Sequence, residues 1–96
     1  MEAKRFTLTV LSDAAGAVTI GLGGNVCGEA LVEIDRLIVS VPQHKRVFLD
    51  LSEITLLDPN AARYLREERK RGLVLLNCPS YIRRWIDSHA DHETEA

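Results

Sequence analysis

Val47-Phe48-Leu49-Asp50-Leu51-Ser52-Glu53-Ile54-Thr55-Leu56-Leu57-Asp58-Pro59-Asn60 is the stretch on which the fold turns. Its first five residues form a continuous apolar run closed by an acid. Continuous rather than alternating apolarity is the mark of a central strand covered on both faces. A polar turn and the apolar pair Leu56-Leu57 follow. Asp58 is then a good N-cap, and Pro59 suits the first helical position because its missing N–H would be unpaired there anyway. The helix this opens runs from Ala61 to Arg71, with Glu67 and Arg71 in favourable i, i+4 order and Lys70-Arg71 at the negative end of the dipole. Gly72 is the expected residue just past its end. Leu73-Val74-Leu75-Leu76 reads as a short buried strand.

Towards the N-terminus the period changes twice. Phe6, Leu8 and Val10 alternate with Thr7 and Thr9, as in a half-buried strand, and Ala17 to Leu22 resumes as a second one. The turn-rich Ser12-Asp13-Ala14-Ala15-Gly16 between them predicts a hairpin, and Gly23-Gly24-Asn25 is expected to break the second strand. Leu31, Ile34, Leu37, Ile38 and Val41 then form one stripe of a helix that Pro42 stops. Towards the C-terminus, Pro79 and Ser80 open a last helix with Ile82, Trp85 and Ile86 on its apolar side. The predicted class is α/β, in the order β-β-α-β-α-β-α. It comprises a four-stranded mixed, mostly parallel sheet with three helices, since strand–helix–strand units with short loops demand right-handed crossovers. Residues 1–88 form one domain, and 89–96 a polar, flexible tail.

Composition narrows the classes of function. The chain has 96 residues, with 12 Lys+Arg against 14 Asp+Glu, a formal charge of −2, 46% hydrophobic and 27% charged residues. That is one ordinary globular domain. A dedicated nucleic-acid binder would show a basic excess, and no apolar run approaches the ~20 residues that insert across a bilayer. Met1-Glu2-Ala3-Lys4-Arg5 lacks the apolar stretch of a secretory signal. Cys27 and Cys78 are too few for a disulfide scaffold and lack metal spacing. The expectation is a cytoplasmic protein with reduced thiols.

Candidate chemistry is sparse. Gly21, Gly23, Gly24 and Gly28 do not follow Gly-x-Gly-x-x-Gly, because the last place falls on Val26, and no Walker-type Gly-Lys-Ser/Thr occurs. His89-x-Asp91-His92 has no second segment to close a ligand set, so no metal is expected. Cys27 and Cys78 read as small apolar residues. Asp50 and Asp58 are the carboxylates at element ends, and neither has a histidine or second carboxylate at an evident position. The chain is therefore read as non-catalytic and without a cofactor. The second helix carries Arg63, Arg66, Arg69, Lys70 and Arg71 against Glu67 and Glu68, a net +3, while Asp87, Asp91, Glu93 and Glu95 make the C-terminal end acidic.

The order of elements and three segments resemble the STAS domain, the fold of bacterial anti-sigma-factor antagonists and of sulfate-transporter cytosolic tails. The segments are Val18 to Val26, Phe48 to Asp58, and Gly72 to Pro79, and the likeness runs from Phe6 to Ile86. The resemblance implies a regulatory protein-interaction module. Its docking surface would hold Asn25, Ser52, Leu57, Asp58, Pro59, Asn60 and Arg63. One departure matters: signalling antagonists carry a phosphorylatable serine after the aspartate, and Pro59 stands there with no hydroxyl. The phospho-switch is therefore excluded at that position. The implied partner is an anti-sigma factor or kinase-like protein. The alternative is a cytosolic subunit that binds the ATPase of a lipid or solute transporter, and a weaker one is a nucleotide-binding domain. Oligomeric state, and modification of Ser52 or Thr55, stay open.

Overall fold

The computed structural model describes residues 5–95, with side chains as far as residue 87. Strands β1 (Phe6–Asp13) and β2 (Ala17–Val26) form the expected hairpin, closed where the Ala14 N–H donates to the Ala17 carbonyl at 2.8 Å. Helix α1 (Gly28–Ser40) leads to β3 (Arg46–Asp50), β4 (Ile54–Leu57), α2 (Pro59–Lys70), β5 (Val74–Leu76) and α3 (Ser80–Glu95). The sheet is mixed and mostly parallel, in the order β1-β2-β3-β5. β1 is antiparallel to β2, β2 pairs parallel with β3, and β3 with β5, in a register that sets Leu49 beside Ile20 and Leu75.

The sheet has five strands, not four. β2 does not break at Gly23-Gly24-Asn25 but continues to Val26. It thereby outlasts β3, whose pairing with it stops at Gly21–Asp50. Ile54–Leu57, expected as a turn and an apolar pair, fills that vacated edge as a short parallel strand beside Gly24 to Val26. Gly24 makes the junction possible. Its φ of +82° lies in the left-handed region, and a Cβ there would stand 2.5 Å from the Arg5 carbonyl oxygen.

The helices cover one face. Val18, Ile20, Leu22, Leu49 and Leu51 are buried against Ala30, Ile34, Ala61, Ala62, Leu65, Ile82 and Ile86 in a single core. The alternate residues Thr19, Phe48 and Asp50 are only half-buried. The central strand is thus covered on one side, where a continuous apolar run predicts two. Both crossovers advance along the sheet in the same direction, so right-handedness puts α1 and α2 on the same face. Helix α2 ends as its Gly72 predicts. The Gly72 N–H donates to the Arg69 carbonyl and the Leu73 N–H to the Glu68 carbonyl, with Gly72 at φ +117° and Leu73 buried behind it. Helix α3 runs on to Glu95 through the stretch expected as a tail; side chains beyond residue 87 lie outside the described residues.

Candidate functional site

Parallel strands joined by helices place every helix start at one end of the sheet, beyond the carboxyl ends of β2, β4 and β5. Asp58 ties two of these starts together. As N-cap of α2 it accepts from the Ala61 N–H through Oδ1 at 2.8 Å, and its Oδ2 accepts from the Gly28 N–H, at the first turn of α1, at 3.1 Å. Its own N–H donates to the Val26 carbonyl, and its carbonyl accepts from the Ala62 N–H. One carboxylate therefore serves the positive ends of two helix dipoles. Capping was legible in the sequence; the bond to Gly28, thirty residues away, was not.

The residues expected at a docking surface do not share one environment. Pro59, Asn60 and Arg63 are exposed on the first turns of α2, with Ala61, Ala62 and Leu65 buried beneath them. Asn25 is half-buried on β2, next to Leu56 of β4. Leu57 is a correction: at 1% exposure it belongs to the core, because it is the inward end of a strand rather than a loop residue. Ser52 stands on the turn between β3 and β4, anchored elsewhere. Its N–H donates to Asp50 Oδ1 at 2.9 Å, while Asn77 Nδ2 donates to Asp50 Oδ2 at 3.1 Å. These bonds, the Ser52 backbone foremost, hold the Asp50 carboxyl below the usual carboxylate range.

Three exposed side chains on β4 and α3 were not assigned to the surface from the sequence. Leu56 is 46% exposed, Tyr81 44% and Trp85 37%. Tyr81 donates its hydroxyl to the Thr55 carbonyl at 3.1 Å, and its ring meets that of Trp85 edge to face at 6.3 Å. The start of α3 is thereby pinned to β4. Trp85 was expected on the buried side of α3 with Ile82 and Ile86. The helix lies at the rim of its layer, however, and only those two residues reach the core.

Among the described residues no group of three or more His, Cys, Asp or Glu could hold a metal ion, and His89, Asp91 and His92 lie outside the described side chains. Burial pushes the Cys78 thiol up, and its sulfur donates to the Pro79 carbonyl at 3.6 Å, both of which favour the protonated form. Arg69 pairs with Asp87 at 2.8 Å, so the basic face of α2 meets the first acid of the C-terminal end. No described helix is long and apolar enough to cross a membrane. Compared with known protein families and with curated proteins, the sequence returns no match. What the fold and the site define is a two-layer α/β domain with an exposed, partly aromatic surface where its helices begin.

Proposed function

We propose that the chain is a non-catalytic protein-interaction module of STAS type, docking a protein partner on the surface built by β4, the start of α2 and the start of α3. The observation that carries this reading is the exposed Tyr81–Trp85 pair, tied to β4 through the Thr55 carbonyl, together with exposed Leu56 on that strand and exposed Pro59 and Asn60 at a helix start whose backbone Asp58 fixes. Tyrosine and tryptophan bring large contact area at small entropic cost, and they dominate the energetic centres of protein interfaces. The rigid cap means that little ordering entropy is lost on binding. Pro59 offers no hydroxyl, so binding here is not gated by phosphate at the first helical position.

Retention of partners on the immobilised chain, beside Leu56→Asp and Trp85→Ala variants with unchanged circular dichroism, tests the reading. A protein held by the wild type and lost with both variants is the expected result. If that protein is a histidine-kinase-like anti-sigma factor, the module is an antagonist; if it is a transporter ATPase, the module is a transport subunit. Equal retention by all three chains would move the interface elsewhere.

A further inference from the structure

At the opposite border of the sheet the helix layer covers β1 unevenly. Phe6, Leu8 and Val10 share the helix face of this strand, and Phe6 is buried, Leu8 half-buried and Val10 48% exposed. Between β1 and α1 this leaves a groove of about 660 Å³, within the size range of small-molecule sites. Leu8, Val10 and Leu37 form its apolar part, and Glu33, Arg36 and Ser40 its α1 wall. The groove is long: Phe6 to Val10 extends about 13 Å along β1, and Glu33 to Ser40 rises roughly 10 Å along α1. The strand beneath it is open for a short stretch only. The Asn25 N–H donates to the Arg5 carbonyl at 2.7 Å, and hydrogen-bonded pairs alternate along an antiparallel ladder, so Leu8 turns its N–H and C=O groups to the edge. Past Val10 the register shifts before Ser12. Such a bulge bends the strand and protects the edge against a long added strand.

We propose that this groove binds an organic acid with an apolar chain, the chain lying on Leu8, Val10 and Leu37 and the carboxylate meeting Arg36. The polar groups of the wall select that class. Glu33 is already engaged within the chain, and Ser40 Oγ donates to the Leu37 carbonyl at 2.6 Å. Among the described residues no acid pairs with the Arg36 guanidinium. Arg36 is thus the member of the wall whose hydrogen-bonding capacity is open, and a guanidinium takes a carboxylate through two parallel N–H donors. An uncharged chain would leave that capacity unused, and a cationic one would be repelled. The length of the groove suits an extended chain of medium length. This site shares no residue with the proposed docking surface, so either reading can fail alone.

The probe is decanoate, kept below its micellar concentration, titrated into the full chain and followed by the methyl resonances of Leu8, Val10 and Leu37. Saturable shifts at those methyls are the expected result. Decanol has the same chain without the charge and should bind at least about tenfold more weakly, and so should decanoate to Arg36→Glu. Val10→Asp changes an exposed position, so its circular dichroism should match wild type while decanoate binding falls at least about tenfold. Glu33→Gln leaves Arg36 in place and should bind no more weakly than wild type. The absence of saturable shifts up to millimolar decanoate overturns the proposal, as does an Arg36→Glu chain of wild-type affinity. Shifts centred on Leu56 and Trp85 would place the ligand on the other surface, and tighter binding of decyltrimethylammonium would reverse the charge; either overturns it. So do the same methyl shifts on raising the protein concentration alone, because the occupant is then another copy of the chain.

Discussion

At the start of α2 the backbone is finished. The N–H groups of Asp58, Ala61 and Ala62 all have acceptors within the chain, two of them on Asp58 itself. Along β1, before the bulge that follows Val10, Leu8 turns its own outward. The first region thus offers a rigid backbone carrying side chains to be read, Leu56, Tyr81 and Trp85 among them. The second offers the backbone itself. Recognition by side chains is selective and is lost when one anchor is removed. Recognition by an open strand edge is indifferent to most side chains, so it needs a further device to select its partner.

The largest expected effect comes where the two regions join. Gly24 faces Phe6 on one side, and its N–H donates to the Glu53 carbonyl, at the entry to β4, at 3.0 Å. Gly24→Ala adds a carbon 2.5 Å from a backbone oxygen at a φ that L residues rarely hold. Strain and displacement together should cost about 3 kcal/mol or more. Denaturant unfolding should show it, and both surfaces should fail at once. A stable Gly24→Ala chain that loses one surface and keeps the other would show that the two regions are not joined through this residue.

Asp58→Ala should separate the regions. It removes the N-cap of α2 and the acceptor for Gly28, a loss of about 1–2 kcal/mol. Partner retention should weaken because the first turn of α2 frays, while the β1–β2 hairpin is untouched. Asp58→Asn keeps an acceptor at the cap and should recover part of the stability. A smaller effect on stability belongs to Leu56→Asp. An exposed side chain makes few contacts to lose, so unfolding should move by less than about 0.5 kcal/mol, while retention of the partner falls sharply. Unfolding and retention falling in proportion would mean that Leu56 acts through the fold and not through contact.

The parts of this molecule that follow from local pattern were legible in its sequence. The alternation in Phe6 to Val10, the stripe from Leu31 to Val41 and the Asp58-Pro59 and Gly72 signals gave elements, order and sheet class. What escaped depends on distance along the chain. β4 is four residues long with its ends buried and its middle exposed, a pattern that matches neither period, and it exists because β2 outruns β3. Leu57 was assigned to the surface for the same reason. Trp85 shares the helical stripe of Ile82 and Ile86, and only the position of α3 at the rim of its layer explains its exposure. Phe48 lies in a run that reads as doubly covered, yet both crossovers put their helices on the other face. Asp58 was read as a cap, and its hold on Gly28 needs the three-dimensional neighbourhood of two helix starts.

The smallest effect concerns the turn between β3 and β4, which belongs to the first region by position; the Ile54 N–H closes it onto the Leu51 carbonyl, and the Asp50 carboxylate adds to that bond. Asp50 accepts from Ser52 and from Asn77, and both bonds favour its ionised form. Its folded pKa therefore lies below the ordinary value near 3.8. A group lowered in this way binds more protons in the unfolded chain. Its contribution is present above pH 3.8 and is lost as the pH falls through the lower, folded value. Stability measured from pH 6 to pH 2 should include a decline in that window, which Asp50→Asn removes. The amide oxygen still accepts from the Ser52 N–H, so the variant should fold and keep its turn. Amide exchange at Ser52 should quicken over the same window in the wild type only. Leu8, on the far edge of the sheet, should be indifferent to the substitution. An Asp50→Asn chain with the wild-type acid profile would mean that other carboxylates hold this end of the sheet, and that the turn is as firmly built as the cap beside it.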